Sequence, residues 1–312
     1  MIQDKSIIKE IVIPDDYPPV FLDSSAINRL RHVPNISLTI YNDRKNGTEE
    51  LIKKINNAHT LILTRSNTIV NSQVLEATRK SLKHIAILGT AIDNINTEWK
   101  DINNLLITST PDTHVESVAE HTLALMLSLG KRIPQMDQRV RNGEWPRSNI
   151  MLLRGKTLGI IGTGRVGETL KDIAEGIGMK VSTYSIQDTD QYSKSFEEIL
   201  KSSDILSLHA RLNQNTKHLI GSVELSLMKP TAFLINTARG SLINEKDLVT
   251  ALENSTISGA ALDVFEEEPI SNSKLTRLSN VILSPHIAGS TEESLSITLN
   301  QVIDSVIDNI KL

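Results

Sequence analysis

The sequence predicts an α/β protein made of two doubly wound parallel sheets. The chain has 312 residues, more than a single hydrophobic core usually holds, so two domains are expected. Short runs of branched apolar residues alternate with polar stretches of helical length, which is typical of parallel α/β sheets. The alternation occurs as two consecutive series, so each series is expected to form its own sheet.

The first series predicts strands in the amino-terminal third of the chain. Isoleucine and leucine dominate these runs, and the polar stretches between them are long enough for connecting helices. Consecutive strands joined by helices run parallel, so one parallel sheet is expected here. The predicted strands are 11–13, 38–40, 61–63, 85–88 and 105–108.

The residues between the two series predict a long buried helix. Thr113 and Glu116 form a capping-box pattern, the apolar-rich stretch 118–129 follows, and Gly130 is a stop signal. A second capping box, 290–293, opens a final segment in which apolar residues recur every three to four positions. That spacing predicts one amphipathic helix at the end of the sequence.

The second series predicts the strands of a doubly wound nucleotide-binding domain. These runs are again separated by stretches of helical length. The predicted strands are 157–161, 179–184, 205–208, 232–235, 258–264 and 281–283.

Composition excludes several classes of protein. Hydrophobic residues make up 39% of the chain and the formal charge is −4, so neither a disordered chain nor a partner of nucleic acid is expected. The absence of cysteine excludes disulfides, thiolate zinc sites and a cysteine nucleophile, and no metal site is predicted. The amino terminus resembles neither a signal peptide nor a membrane-spanning segment. We therefore expect no membrane partner and a cytoplasmic location.

A glycine-rich turn follows the first strand of the second series. Gly162, Gly164 and Gly167 form a GxGxxG pattern between an apolar strand and a helix, a context typical of dinucleotide binding. Gly162 permits the tight turn, Gly164 lets a pyrophosphate approach the backbone, and Gly167 allows close packing of helix and strand. The helix begins near Arg165 and Val166, and its free N–H groups would face the anion.

The position that selects between NAD and NADP carries an unusual residue. An acidic residue about twenty positions beyond the glycines normally binds the ribose hydroxyls of NAD. Ser185 stands there instead, and no Arg or Lys follows to bind the 2′-phosphate of NADP. In an alternative interpretation Asp188 or Asp190 supplies the acid from a displaced loop. The predicted cofactor is therefore NAD or NADP, with the choice left open.

Three chemically active residues follow the last three predicted strands. Arg239, Glu268 and His286 lie where the carboxyl ends of parallel strands meet, which is the edge where open α/β sheets bind ligands. The Arg239 guanidinium can hold a carboxylate through two hydrogen bonds, and His286 can give a proton to a carbonyl oxygen as hydride arrives. Glu268 would orient the ring and favour its protonated form.

Each residue alone also has a structural interpretation. Arg239 would be a surface cation, Glu268 a solvated member of an acidic run, and His286 a satisfied histidine after a turn. Their joint position beside a cofactor motif favours catalysis. Asp263 is expected either to face the nicotinamide or to cap a loop, and His209 either to line the cofactor groove or to close its strand.

Several short segments of the chain, in this order, are highly specific. They are 89–94 (GTAIDN), 116–122 (ESVAEHT), 162–167 (GTGRVG), 207–209 (SLH), 236–240 (NTARG), 261–265 (ALDVF) and 284–289 (SPHIAG). In these segments the chain resembles the D-isomer-specific 2-hydroxyacid dehydrogenase family, and the resemblance covers nearly the whole chain.

The resemblance implies a discontinuous substrate domain and a continuous cofactor domain. Residues 1–108 with 290–312 would form a flavodoxin-like substrate domain, and 109–289 a Rossmann domain. The reaction implied is hydride transfer between the cofactor and a small 2-oxo or 2-hydroxy acid. Family members are usually homodimers. Further cofactor contacts are implied at Thr237, Ala238 and Gly289.

The resemblance also implies a loop that binds the substrate carboxylate. Its backbone N–H groups would belong to Thr90, Ala91 and Ile92, acting together with Arg239 and His286. Ala91 replaces a common glycine, so an alanine would strain the loop wherever the backbone needs a positive φ.

The resemblance also includes proteins that are not primarily enzymes. Some relatives are cofactor-sensing corepressors without significant turnover, and these carry long disordered tails. No such tail and no fused regulatory domain after residue 312 is expected here. The enzyme is therefore the favoured interpretation, with the sensor as its alternative.

Overall fold

The computed structural model describes residues 8–43, 47–64, 68–90, 92–96, 104–186, 195–271 and 273–310. The chain divides into two compact units. Unit 1 comprises Met1–His114 with Glu292–Leu312, and unit 2 comprises Val115–Thr291. The unit limits lie near the boundaries expected after residues 108 and 289. Which unit binds substrate and which binds cofactor stays a prediction.

The described residues of unit 1 form a five-stranded parallel sheet in the order β2-β1-β3-β4-β5. This is the flavodoxin-like order, as predicted. Each strand of the first series is found within a few residues of its predicted position. The strands are β1 (Lys9–Ile13), β2 (Ile36–Ile40), β3 (Thr60–Leu63), β4 (His84–Ile87) and β5 (Leu106–Ser109).

Helices cover both faces of the unit 1 sheet. On one face the apolar sides of α1 and α10 pack around Phe21, and on the other α2 and α3 pack around Leu61 and Ile85. The side chains of Val302 and Ile303 on α10 are at most 1% exposed, which explains the three-to-four spacing seen in the sequence. The helices are α1 (Ser25–Arg31), α2 (Thr48–Ile55), α3 (Ser72–Ala77) and α10 (Glu292–Ile310).

The described residues of unit 2 form a six-stranded parallel sheet in the order β11-β10-β9-β8-β6-β7. The connections reverse direction between β6 and β8, so the binding edge of a doubly wound sheet lies at the carboxyl ends of these strands. The further strand that the usual dinucleotide-binding order places beyond β7 does not occur among the described residues. The strands are β6 (Thr157–Ile161), β7 (Lys180–Tyr184), β8 (Ile205–Leu208), β9 (Phe233–Asn236), β10 (Gly259–Leu262) and β11 (Val281–Leu283).

The unit 2 sheet is also covered on both faces. Residues of α4 and α6 bury one face around Leu158 and Ile160, and α7, α8 and α9 bury the other around Leu206 and Leu234. The helices are α4 (Val115–Lys131), α5 (Ile133–Arg141), α6 (Arg165–Gly176), α7 (Phe196–Ser202), α8 (Ser222–Leu227) and α9 (Glu245–Glu253).

Both long helices begin one residue later than their capping boxes predicted. Helix α4 begins at Val115 and continues through Gly130 to Lys131, and α10 begins at Glu292. The Thr113 hydroxyl donates to the carbonyl of Thr110 at 3.4 Å and accepts from the hydroxyl of Thr298 at 2.8 Å. Thr113 therefore connects two segments of unit 1, and the residue that directly precedes α4 is His114. Among the described residues, no helix combines the length and the apolar character needed to cross a membrane.

Candidate active site

Arg239, Glu268 and His286 lie on the loops that leave the carboxyl ends of three neighbouring strands of unit 2. Arg239 follows β9, Glu268 follows β10 and His286 follows β11. Neighbouring parallel strands present their carboxyl ends at one sheet edge, so these loops converge. The structure brings the side chains together: the charge of Arg239 acts on the Glu268 carboxylate, and Glu268 contacts His286.

The closest pair is Glu268 and His286. The Nδ1 atom of His286 lies 2.7 Å from Oε2 of Glu268, while Oε1 of Glu268 accepts the backbone N–H of Phe265 at 3.1 Å. Both carboxylate oxygens are thus occupied, which fixes the side chain. In contrast, Glu266 and Glu267 of the same acidic run are exposed. The interpretation of Glu268 as a solvated member of that run does not hold.

The surroundings of Glu268 favour its ionised form. Burial acts to raise its pKa, but the hydrogen bond and charge of His286, the N–H of Phe265 and the charge of Arg239 together hold the pKa below its ordinary value. An ionised Glu268 accepts the Nδ1 proton of His286. The Nε2 atom of the ring is then left for another partner, and the His286 side chain is 36% exposed.

Backbone contacts fix the loop that carries Arg239. The amide of Asn236 donates to the carbonyl of Arg239 at 2.9 Å and accepts the N–H of Ala238 at 3.0 Å. A Cβ placed on Gly240 would lie 1.9 Å from the carbonyl carbon of Phe265, so only glycine allows this approach. The Arg239 and Glu268 loops are therefore packed backbone against backbone.

Asp263 anchors the loop that carries His286. Its side chain is 0% exposed. One oxygen accepts the Ser284 hydroxyl at 2.6 Å and the Ile287 N–H at 3.0 Å, and the other accepts the Ala288 N–H at 2.8 Å. Of the two roles considered for Asp263, these hydrogen bonds correspond to loop capping.

Two residues of α4 support the site and were assigned no role from the sequence. His121 Nε2 lies 3.1 Å from the Ser284 hydroxyl and 3.6 Å from Asp263. The Ser284 proton goes to Asp263, so His121 donates to Ser284. Thr122 donates to a carbonyl of its own helix and accepts the Thr237 hydroxyl at 2.9 Å. The available signal was the segment 116–122, which contains both residues and carries the family resemblance.

The three glycines of the β6–α6 turn differ in their surroundings. Gly162 has a φ of +108°, and a Cβ there would lie 2.5 Å from the backbone of His209. A Cβ on Gly167 would lie 2.2 Å from the carbonyl oxygen of Gly162, whereas one on Gly164 would meet no atom within 4 Å. Gly164 also precedes α6 without a side-chain cap, so open space adjoins the N–H groups of the first turn. This arrangement fits a pyrophosphate.

The remaining predicted cofactor residues surround the same sheet edge. Ser185 directly follows β7, and Asp188 and Asp190 lie outside the described residues. His209 follows β8, where its Nε2 lies 2.8 Å from the Ser207 hydroxyl, and burial lowers its pKa to about 4, so its ring is neutral. The other positions are Arg165, Val166, Ala238 and Gly289, of which Arg165 is exposed and the rest are half-buried.

The predicted substrate loop belongs to unit 1. It follows β4, where Gly89 has a φ of +119° and its N–H donates to the Thr110 hydroxyl at 2.8 Å. Thr90 is exposed and Ile92 is half-buried, while Ala91 lies outside the described residues. Within the part of the chain that is described, no three His, Asp or Glu side chains are grouped to hold a metal ion.

Residues 123–288 match the family model described as D-isomer specific 2-hydroxyacid dehydrogenase, NAD binding domain. This match covers more than half of the chain. The chain belongs to the D-isomer specific 2-hydroxyacid dehydrogenase family. The dehydrogenase is 40% identical over 260 residues to a glyoxylate reductase of Thermococcus litoralis, with 78% of each chain covered.

Solved structures extend the likeness to almost the whole chain. The D-lactate dehydrogenase of Aquifex aeolicus, complexed with NAD and lactic acid, has a TM-score of 0.82 and 29% identity, covering 97% of this dehydrogenase and 96% of that chain. An acyclic imino acid reductase (Bsp5) in complex with NADPH and D-Arg has a TM-score of 0.86 and 28% identity, covering 97% of each chain.

The family and the turn geometry agree on the cofactor class. The dehydrogenase is an NAD(P)-dependent oxidoreductase that transfers hydride between the nicotinamide and a small 2-oxo or 2-hydroxy acid. The non-enzymatic sensor is not supported. Gly162, Gly164 and Gly167 with the first turn of α6 would hold the pyrophosphate.

Proposed function

We propose that this dehydrogenase reduces a small 2-oxo acid to its D-2-hydroxy acid with His286 as the proton donor. The observation that carries the proposal is the 2.7 Å contact between His286 Nδ1 and Glu268, which leaves Nε2 for the substrate. When bound, the nicotinamide cofactor supplies the hydride. His286 Nε2 gives its proton to the carbonyl oxygen as that oxygen becomes a hydroxyl, and in the reverse direction the neutral ring accepts it.

Glu268 acts in this mechanism through the histidine. Its carboxylate balances the positive charge of the protonated ring and aims Nε2 away from the loop. The N–H of Phe265 holds the other oxygen, so the pair cannot rotate without breaking a further hydrogen bond. A fixed ring keeps the proton donor in reach of the reacting oxygen, which lowers the entropic part of the barrier.

Arg239 is proposed to bind the substrate carboxylate. Its loop is fixed by Asn236 and by the close packing of Gly240, and its Nη1 donates to the carbonyl of Ala238 at 2.7 Å, so the guanidinium starts from a defined position. A bidentate guanidinium–carboxylate pair orients the 2-oxo group. A role of the N–H groups of Thr90, Ala91 and Ile92 in carboxylate binding stays a prediction from the sequence. The glyoxylate reductase relative supports a compact substrate such as glyoxylate.

The decisive experiment compares turnover and cofactor binding in two variants. Oxidation of NADH and NADPH is followed with glyoxylate, pyruvate and hydroxypyruvate. His286→Asn is expected to lower kcat by about 100-fold or more, because loss of a general acid typically has an effect of this size. Its cofactor affinity is expected to be unchanged. Arg239→Ala is expected to raise KM for every acid. Unchanged kcat in His286→Asn contradicts the assignment.

We propose that the enzyme accepts both NADH and NADPH. Ser185 provides neither the carboxylate that repels a 2′-phosphate nor a cation that binds it. Solved structures of similar fold hold either cofactor. Ser185→Asp is expected to leave kcat/KM with NADH near its original value and to lower it about tenfold with NADPH. An equal effect on both cofactors contradicts a role for Ser185 in this choice.

We also propose that the protein is a cytoplasmic homodimer. The region 133–152 of unit 2 supports dimerisation, because α5 has no buried residue. The side chains of Ile133, Trp145 and Leu152 are 56%, 78% and 65% exposed, and large exposed apolar side chains are typical of a surface that binds a partner. Trp145→Asp is expected to yield a monomer by sedimentation, with Lys156→Asp as the control. A dimer in both variants contradicts this surface.

A further inference from the structure

A group of basic side chains lies at the amino ends of the unit 1 strands. Lys9 opens β1, His59 immediately precedes β3, and Lys83 and His84 stand at the start of β4. The cavity they share has a volume of about 340 Å³, within the range of about 300–1,000 Å³ typical of small-molecule sites. It is lined by Lys9, His59, Lys83, His84, Leu106 and Asn309.

The backbone holds this cluster in place. The carbonyl of His59 accepts the N–H groups of Lys83 and His84 at 2.9 and 3.2 Å, and the His59 N–H donates to the carbonyl of Glu10 at 2.8 Å. The Lys9 ammonium donates to the carbonyl of Ile310 at 2.6 Å. The strand ends and the end of α10 therefore fix the cavity before any ligand enters.

The cluster carries the positive charges of two ammonium groups. Burial lowers the pKa of His59, and the charges of Lys9 and Lys83 lower it further. The three side chains therefore interact electrostatically. Among the described residues, no carboxylate oxygen lies within 4.0 Å of the ammonium of Lys9 or Lys83. A cavity lined by charges of one sign attracts the opposite charge.

The His84 ring has a nitrogen without a partner in the described residues. His84 is 2% exposed, and its Nε2 lies 2.8 Å from the Thr108 hydroxyl, which accepts the Ser305 hydroxyl at 2.9 Å. Nε2 therefore has a partner, and Nδ1 is the ring nitrogen that remains. That Nδ1 atom is buried and makes no hydrogen bond. A buried ring nitrogen without a hydrogen bond is rare, and a bound ligand is one reason for it.

We propose that this cavity binds a small dianion, a phosphate or a dicarboxylate, between the ammonium groups of Lys9 and Lys83 and the rings of His59 and His84. The site belongs to unit 1, whereas the proposed catalytic side chains Arg239, Glu268 and His286 belong to unit 2. A ligand that binds only the folded state stabilises it by mass action. The dianion therefore stabilises unit 1 against unfolding.

The first test measures thermal unfolding of the full-length protein against inorganic phosphate and against malonate, with sodium chloride at matched ionic strength. The wild type and Lys80→Gln are expected to show a saturable rise in Tm, because Lys80 is exposed and lies outside the cavity. Lys83→Gln is expected to bind at least tenfold more weakly. Comparison of the two anions shows which dianion the site prefers. Equal responses in the two variants, or a rise that sodium chloride reproduces, overturn the proposal as an adventitious ion only.

A second measurement is made on the wild type alone and does not depend on the folding of a variant. The titration of His59 is followed by NMR with and without saturating phosphate. A bound dianion offsets the charges of Lys9 and Lys83, so the pKa of His59 is expected to rise. An unchanged pKa under saturating phosphate overturns the proposal. Neither result depends on turnover, so the proposed catalytic roles are tested separately.

Discussion

Gly164 and Gly167 belong to the same turn, yet glycine is required at the two positions for different reasons. The backbone of Gly164 is ordinary in conformation, with a φ of −74°, and the space beside it is empty. The space beside Gly167 is filled by the carbonyl of Gly162. We therefore expect cofactor binding to require the first glycine, whereas packing of the protein requires the second.

The same substitution at these two glycines is expected to separate binding from folding. Gly164→Ala should change the free energy of unfolding by less than about 1 kcal/mol, the scale of a changed helix N-cap, and weaken cofactor binding about tenfold. Gly167→Ala should lower the free energy of unfolding by about 1–3 kcal/mol, because the 2.2 Å contact forces helix and turn apart. Urea unfolding and NADH fluorescence measure the two effects. A Gly164→Ala variant with wild-type cofactor affinity contradicts the assignment.

Glu268 is expected to make the stability of the protein depend on pH in the acid range. Its pKa in the folded protein lies below the ordinary value of 4.5, because the hydrogen bond and charge of His286 outweigh burial. A depressed carboxyl pKa stabilises the fold fully above the unfolded value, and the stabilisation is lost as pH falls through the folded value. The difference in unfolding free energy between wild type and Glu268→Gln should therefore shrink as pH falls below about 4.5. Urea titrations at several pH values measure it, and a difference that grows in acid contradicts this sign.

At the scale of elements, apolar patterning predicted every strand of the two sheets but not the supports of the site. Strands buried on both faces are runs of branched apolar residues, so the composition of each run is enough to predict a strand. The role of His121 on α4 depends on contact with Ser284, 163 positions later in the chain. The hydrogen bonds of Asp263 likewise form with a loop more than twenty positions away. Contacts of this kind follow from the fold and leave no local pattern.

Helix α4 is expected to stabilise the Arg239 loop through Thr122. The Thr122 side chain is 0% exposed and accepts the hydroxyl of Thr237, which is itself 8% exposed. Thr122→Val keeps the shape but leaves the buried Thr237 donor unpaired, which should cost about 1–3 kcal/mol of unfolding free energy. Thr122→Ser retains the hydroxyl and is expected to lose less than half as much. Urea unfolding distinguishes them, and a Thr122→Val variant as stable as the wild type contradicts the role of this hydrogen bond.

At the scale of the whole molecule, the two units differ in the number of chain segments that form them. Unit 2 is one continuous segment, Val115–Thr291, and unit 1 needs both ends of the chain. The sheet of unit 2 and its two core clusters consist of its own residues. A segment of this size with its own core and its own sheet meets the criteria for an independently folding domain.

A fragment of residues 115–291 is therefore expected to fold alone. Its affinity for NADH should lie within about tenfold of that of the whole chain, a difference in binding free energy of about 1.4 kcal/mol. The turn with Gly162 and Gly164, Ser185 and the Glu268–His286 pair all lie inside it. Turnover should be absent, because the proposed carboxylate loop with Thr90 and Ile92 belongs to unit 1. Circular dichroism tests folding and fluorescence titration tests binding, with the Gly164→Ala fragment as the control that folds but binds weakly. If the folded fragment turns over glyoxylate, the predicted role of the Thr90 loop is wrong. If the folded fragment has no affinity for NADH, the assignment of the cofactor site to unit 2 is wrong.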